Sequence, residues 1–511
     1  MKKTLISNVF NYKVSEYDMN EGVMTLDKRR VYTAELPCLT KEFQSEVTIW
    51  IQAYNHFEKT KKCIESVLKY TSEIDYDLIL VDNNAGEETY RYFENLDYPK
   101  KTVIHFDRNT GSAYPFTVVP IDMISKYFVL LNNDLIVTKN WLSNLLKVIK
   151  SDSKIGVVNP VSNNVSNYQC VSFPFDSYEE MQKKAEMFNI SDKCKWEERL
   201  RVITLGTLVS KECLYAMGWP FFDVGFTHNF MDDDMSFRAR RAGYKLIVAR
   251  DTWICHDHVL SSDVSEETAK SYDRDINKFR KKYYGVDPWN DLGESIIHIP
   301  NLVNKIKIVH NKQVSILGID VKCGMPILEI KNMLRFSDDI AMSAYSQEAK
   351  YYIDLQSICN GSVVCDKEEN IKNYYKECSY DYVIIGEPIN MYNDPIKVLK
   401  EVYALLKKGG QMIFSLKNTR SIVDLLIAAG YSININQCIY QTITLDNLNL
   451  ILMNNDIQIR DVVVEGYEIN SPIVESVKSN FLTSCVSKGA DRSEILARLN
   501  ANRFWIVIDK L

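Results

Sequence analysis

Residues 47–55 read Val-Thr-Ile-Trp-Ile-Gln-Ala-Tyr-Asn. The run is apolar to Ile51 and then turns polar, which predicts a buried strand ending at Gln52-Ala53-Tyr54-Asn55. The pattern recurs. Asp77 to Val81 predicts a second strand, ending at Asp82-Asn83-Asn84, and Tyr127 to Leu131 a third, ending at Asn132-Asn133-Asp134. Between them Lys59 to Thr71 carries Cys63, Ile64, Val67 and Leu68 on one helical face, and Trp141 to Ile149 predicts another helix. Strands alternating with helices imply a largely parallel sheet. In such sheets ligands bind past the carboxyl ends of the strands, where these polar residues fall. Further on come an acidic cluster, Asp232-Asp233-Asp234, and two histidines, His256 and His258, after the strand Lys245 to Ala249 and the segment Thr252 to Cys255.

At 511 residues the chain is too long for one ordinary core, so two or three domains are expected. A formal net charge of −6, with no long basic run, argues against nucleic-acid binding by bulk electrostatics. No stretch reaches the ~18 consecutive apolar residues of a membrane span. The basic start Met1-Lys2-Lys3 runs into Ser7, Asn8, Asn11 and Lys13, so no secretory signal is read. The twelve cysteines lack paired metal-type spacing and are read as reduced thiols of a cytoplasmic protein.

Residues 1–45 are expected to be an extension packed on the next domain, 46–295 the first α/β domain, and 296–511 a second. The segment Ser265 to Tyr284 predicts a long charged helix, stopped by Gly285 and Pro288. In the second half, strands are expected at 314–318, 362–365, 380–385, 411–416 and 504–508. The helix Pro395 to Leu406 is expected to end in Lys407-Lys408-Gly409-Gly410.

The ordered set VTIWIQAYNHFEKTKKCIESVL, LILVDNNAG, RNTGSAY, VLLNNDLIVTKNWL, GTLVSKECLYAMGWPFFDVGF, DDDMSFRARRAGYKL and CHDH resembles a family-2 glycosyltransferase of the GT-A fold, a Rossmann-like domain that binds nucleotide sugars. The resemblance covers about half the chain and implies a nucleotide diphosphate sugar donor and a divalent cation, Mn²⁺ or Mg²⁺. Ala53, Tyr54 and Asn55 would shape the base pocket. Asp82 would accept a hydrogen bond from the base or ribose, unless it is a structural cap. Gly111 would let the backbone approach the donor. Asn132-Asn133-Asp134 stands where the family carries Asp-X-Asp. Asp134 is the implied metal ligand, while Asn132 brings no charge, and as a pair Asn132 and Asn133 also read as an ordinary turn.

Aligning Arg238 with the family arginine puts Asp232 at the position of the general base, which takes the proton of an acceptor hydroxyl. Asp233 is the runner-up by one register, and Asp234 is the second acid of the motif. The plainer reading of all three is a cap cluster for a helix Met235 to Ala242. His256, preferred over His258, would ligate the metal or touch the diphosphate. Asp223 and Arg238 resemble residues near the acceptor and diphosphate.

SYDYVIIGEPINMYNDPIKVLKEVYALLKKGGQMIFSLKN and DNLNLILMNNDIQIRDVVVEG resemble a class I methyltransferase. Its ligand loop would be Gly318-Ile319-Asp320-Val321-Lys322-Cys323-Gly324, which keeps only two glycines, and no acidic ribose partner is read at the expected strand end. A methyltransferase-like α/β domain without that activity is expected, serving acceptor binding or an oligomer contact. The reading is an inverting glycosyltransferase, with UDP-N-acetylglucosamine as the first donor and a hydroxyl acceptor, on Ser or Thr of a flagellin-like protein or on a surface glycan. A bifunctional enzyme that also methylates the glycan, and a non-catalytic scaffold, are the rivals.

Overall fold

The computed structural model describes residues 9–12, 45–226, 229–257, 266–310, 313–337, 339–428, 430, 441–467, 472–486 and 491–511. The chain divides into two units, Met1–Trp289 and Asn290–Leu511. The division falls ahead of the expected boundary at 295. The reason is local: the Asp291 and Leu292 carbonyls accept from Cys323 and Met325 N–H at 3.0 and 2.9 Å, which ties this segment to the second unit.

The first unit is built on a ten-stranded sheet. Its strands are β1 (Val9–Tyr12), β2 (Val47–Ala53), β3 (Tyr76–Asp82), β4 (Lys101–Phe106), β5 (Tyr127–Asn132), β6 (Leu135–Ile136), β7 (Ile155–Ser162), β8 (Trp196–Arg199), β9 (Thr207–Ser210) and β10 (Lys245–His256). The order is β1-β4-β3-β2-β5-β9-β7-β10-β6, with β8 also on β10. The first five strands run parallel, and β9 runs against both β5 and β7. Thus β7 and β10 point the same way as β5, and β9 starts at the edge where the others end.

Every residue of β3 is buried, as expected of a parallel strand covered on both faces. One face packs Ile49, Ile51, Leu78, Leu80, Val129 and Leu131 against Cys63, Ile64 and Val67 of the helix Phe57–Tyr70 and Leu142 and Leu145 of the helix Trp141–Ser151. The other face carries aromatic rings, with Trp50 stacked on Phe116 at 4.6 Å. Each such side chain contributes ~1.5–3 kcal/mol of burial, so this core holds the strand ends in place without help from the polar residues there. Within the expected extension, Val9–Tyr12 is an edge strand paired with β4. The expected break between Ala249 and Thr252 is a register shift within the single strand β10.

The second unit is a seven-stranded Rossmann-like sheet, order β13-β12-β11-β14-β15-β17-β16. Its strands are β11 (Gln313–Ile319), β12 (Asp339–Ser346), β13 (Val363–Cys365), β14 (Tyr380–Ile385), β15 (Leu406–Lys417), β16 (Ile459–Gly466) and β17 (Ala501–Asp509). Only β17 opposes its neighbours. Two expectations are corrected. Lys407-Lys408-Gly409-Gly410 does not cap the preceding helix, which ends at Leu405, but lies within β15. The strand β12 was not expected, because its text, Asp-Ile-Ala-Met-Ser-Ala-Tyr-Ser, mixes small and polar residues without a clean period. An acid does follow it: Glu348, two residues on, paired with Lys350 at 3.2 Å.

The loop after β11 is closed by its own chain. Val321 and Cys323 are fully buried. Asp320, with φ of 49°, accepts from the Gln347 N–H at 2.8 Å and the Tyr392 hydroxyl at 2.7 Å. Gly386 sits so close that a Cβ there would lie 2.5 Å from the Asp320 carbonyl oxygen. Among the described residues no helix is long and apolar enough to cross a membrane.

Candidate active site

The strand directions bring Ala53, Asp82, Asn132 and His256 to one edge of the first sheet. Beyond Ala53 the chain turns through two consecutive left-handed residues, Asn55 (φ 56°) and His56 (φ 54°). Such residues cost ~1–2 kcal/mol each, less for Asn. Tyr54 is left 45% exposed, an aromatic face open to a ligand.

Asn133 holds this turn against β5. Its amide donates to Thr60 Oγ1 at 2.9 Å and to the Asn55 carbonyl at 3.4 Å. The Cys63 thiol reaches the Asn132 carbonyl at 3.6 Å, while the Asn132 side chain stays exposed at the strand end. The Asn-Asn-Asp triplet is tied to the start of the helix Phe57–Tyr70, and Asn133 and Asp134 form the turn between β5 and β6, so the ordinary-turn reading is realised as well.

Asp134 and His256 meet because β6 pairs with the end of β10, His256 opposite Leu135. His256 Nε2 lies 3.3 Å from Asp134 Oδ2. The other ring nitrogen, Nδ1, is 3.0 Å from the Asn164 carbonyl and donates to it. That bond leaves Nε2 facing the carboxylate, where either a proton or a cation must sit between them. Burial works against a charged His256 ring, but the hydrogen bond and charge of Asp134 and the Asn164 carbonyl raise its pKa overall. Asn163 grips the His256 backbone on both sides, Nδ2 donating to the carbonyl at 3.0 Å and Oδ1 accepting from the N–H at 2.9 Å.

Asp134 and His256 are the side chains here that could hold a divalent ion, one carboxylate being enough where diphosphate and water supply the other oxygens. Among the described residues no group of three or more His, Cys, Asp or Glu is placed to hold a metal. His258 lies outside the described residues.

Asp82 is occupied from within. Its Oδ1 accepts from the Ala85 N–H at 2.7 Å and its Oδ2 lies 2.8 Å from His105 Nδ1. Both groups are buried, and Tyr90 covers the His105 ring at 3.9 Å. The cap reading of Asp82 is thus realised geometrically. The neighbouring Asn83 organises the donor-side loop. Its Nδ2 donates to the Gly111 carbonyl at 3.0 Å and its Oδ1 accepts from the Thr110 N–H at 2.9 Å. Gly111 takes φ of 76°, which a side chain would strain. Sequence reading named Gly111 and passed over Asn83, although Asp82-Asn83-Asn84 carried the signal.

The acidic triplet separates by environment. The helix starts at Met231, earlier than expected, so all three acids lie inside its first turn instead of capping it, and the residue before, Phe230, is left-handed. Asp234 is fully buried and held by Arg238 at 2.7 Å, by the Tyr283 hydroxyl at 2.7 Å and by Lys282. Lys282 also pairs with Asp223 at 2.7 Å. Arg238 spends its other donors on backbone, including the Gly218 carbonyl at 2.9 Å. Asp223, Asp234 and Arg238 thus form an internal ion network that fastens the helix Glu266–Lys282 to the helix Met231–Arg241. Asp233 is buried against Arg201 and receives the Trp289 indole N–H at 3.3 Å.

Asp232 is the half-buried member, and its carboxylate accepts from the Thr204 hydroxyl. Burial is the main cause that pushes its carboxyl up to about 6. Leu130 pairs with Thr207 across antiparallel β5 and β9, so the chain enters β9 from the edge where Asn132 and Asp134 lie, with Thr204 three residues ahead of the strand. Asp234→Asn is expected to destabilise the fold by ~2–3 kcal/mol, since it strips a buried charge from Lys282 and Arg238. Urea denaturation at neutral pH checks this, and an unchanged midpoint would contradict the network's role.

The polar residues past β2, β5 and β10 gather at one edge of the sheet, where α/β domains bind their ligands. Within the first unit, residues 48–197 match the family described as Glycosyl transferase family 2. No curated protein sequence matches the chain. Among solved structures, a mannosyltransferase from Pyrobaculum calidifontis in complex with GDP-Man and Mn²⁺ is similar at 12% identity, covering 50% of this chain and 69% of that one, with a TM-score of 0.33. A SAM-dependent methyltransferase from Archaeoglobus fulgidus is similar at 14% identity, covering 46% and 99%, with a TM-score of 0.29. A complex of a methyltransferase activator with a putative methyltransferase from Haloferax volcanii covers 48% and 99% at 12% identity and a TM-score of 0.28. No residue role transfers at these scores.

Proposed function

We propose that the chain is an inverting glycosyltransferase that moves a sugar from a nucleotide diphosphate donor to an acceptor hydroxyl. The observation that carries this is the shared sheet edge: Asp134 and His256 face each other there, and Asp232 is the one acid of its triplet not consumed by an internal ion pair. Asp232 takes the acceptor proton as the new C–O bond forms and the sugar–diphosphate bond breaks. Asp134 and His256 hold a divalent cation, Mn²⁺ or Mg²⁺, which when bound supplies Lewis-acid stabilisation of the departing diphosphate. Tyr54, Asn55 and the loop at Gly111 border the nucleotide. The donor is UDP-N-acetylglucosamine and the acceptor a Ser or Thr hydroxyl of a flagellin-like protein, with a surface glycan as the second choice. Hydrolysis of a panel of nucleotide sugars, with Mn²⁺ and with EDTA, tests this, and no hydrolysis of any donor would sink it.

The second domain is proposed to serve the acceptor side or an oligomer contact without binding S-adenosylmethionine. The supporting feature is the chain after β11, whose amides at Cys323 and Met325 bond to the Asp291 and Leu292 carbonyls and whose Val321 and Cys323 side chains are fully buried. Calorimetric titration of the full chain is expected to give no heat of binding at micromolar cofactor. A micromolar Kd would overturn this reading and favour the bifunctional enzyme.

A further inference from the structure

We propose that Lys59 is a diphosphate-binding residue of the donor site, its ammonium taking a phosphate oxygen of the bound nucleoside diphosphate. The inference rests on the glycosyltransferase reading and goes beyond the metal ligands.

Lys59 lies in the first turn of the helix Phe57–Tyr70, just past the left-handed turn at Asn55 and His56. The turn fixes where the side chain goes. The N–H groups of Lys59 and Thr60 both bond to the His56 carbonyl, at 3.0 and 3.1 Å, and Thr60 is held by Asn133 at 2.9 Å. From there the Lys59 ammonium donates to the carbonyl of Asp257. The N–H of Asp257 bonds in turn to the Asp134 carbonyl at 2.9 Å. One residue, Asp257, therefore carries the Lys59 ammonium on its carbonyl and Asp134 on its amide, directly after His256.

Of the partly buried lysines of this unit, Lys282 rests on Asp223 and Asp234 and Lys245 on Asp152 at 2.7 Å, while Lys101 and Lys278 donate to backbone carbonyls. Lys59 is of the second kind, lodged on the neutral Asp257 carbonyl beside the Asp134 and His256 pair. An ammonium has three donors, so one such bond leaves capacity for an anion. Charge balance points the same way. Asn132 brings no charge to the strand end, and Asp134 and His256 are two ligands, a thin set for a cation. A fixed lysine beside them weakens metal binding further but strengthens the field that a diphosphate meets, because charge-assisted hydrogen bonds to phosphate are strong. Part of the positive charge needed by the leaving group is thus built into the protein.

The test is calorimetry on the full chain. UDP, GDP and dTDP are titrated with Mn²⁺, and the tightest binder is repeated in EDTA with the parent, Lys59→Ala and Lys59→Arg. The parent is expected to keep measurable affinity in EDTA, and inorganic pyrophosphate to compete. Lys59→Ala is expected to lose about 10- to 100-fold in both media, and Lys59→Arg to recover most of that. Thermal midpoints check that the variants are folded. Equal affinity of the parent and Lys59→Ala in both media overturns the proposal while leaving the glycosyltransferase reading intact, as does an equal loss in Lys59→Arg and Lys59→Ala. Absence of binding by any nucleotide to the parent in either medium removes that reading and the inference with it.

Discussion

Asp232→Asn is expected to lower sugar transfer by about 10²- to 10⁴-fold, the usual effect of removing a general base, while nucleotide-sugar affinity stays at the parental level. The amide keeps an oxygen for the Thr204 hydroxyl, so the geometry survives and only the proton acceptor is lost. Asp233→Asn serves as the comparison, and full activity of Asp232→Asn beside a dead Asp233→Asn would place the base one residue on. The pH dependence has a defined sign. With the carboxyl pushed up to about 6, transfer is expected to rise with pH through that value as the base ionises.

The same shift predicts a gain in stability. In the unfolded chain the carboxyl titrates near its ordinary value of 3.8. The protonated form is therefore the one the fold prefers, and that preference is fully expressed below about pH 4 and lost as pH rises through about 6. At pH 8 the ionised carboxylate costs the fold up to ~3 kcal/mol, which Asn relieves. Denaturation of parent and variant at pH 4.5 and pH 8 reads this, and a gain larger at the lower pH would contradict it.

Asp134→Ala is expected to abolish metal-dependent nucleotide binding without loss of the fold. Asp134 sits past β5 in a partly exposed position, its side chain facing His256 at 3.3 Å and not the core. Its backbone carbonyl, which accepts from the Asp257 N–H, is untouched by the change. The variant leaves His256 as the one side-chain ligand among the described residues, too little to hold Mn²⁺ at micromolar concentration. Calorimetry with UDP and Mn²⁺ checks this against the parent. The difference in affinity between Mn²⁺ and EDTA should vanish in the variant, and a parental metal response would remove Asp134 from the site.

The reading of strands and their polar ends was legible because β2, β3 and β5 are continuous apolar runs that stop abruptly at polar residues. A parallel strand covered on both faces reads as a near-continuous apolar run. The strand β12 was not legible, since its burial comes from the sheet around it and not from its own hydrophobicity. The same limit applied to Lys407-Lys408-Gly409-Gly410, where a helix stop and a strand start share one text. Asn163 and Lys59 were passed over for a different reason. Each acts through a bond to a residue distant in sequence, as Asn163 does on the His256 backbone, and nothing local marks such a side chain.

From sequence alone came the α/β class, the edge at which a ligand must sit and the short set of acids and histidines that can carry the chemistry. These follow from local hydrophobicity and from the rule that parallel strands end at one edge. What only the tertiary structure decided was how each member of that set is used. Three adjacent aspartates of identical chemistry divide into an ion-network anchor, a partner of Arg201 and Trp289, and a half-buried carboxylate whose proton is held up to about 6. That division depends on desolvation and on the charges brought up by Arg201, Lys282 and Tyr283. These are properties of the space around a residue, and a one-dimensional pattern does not contain them.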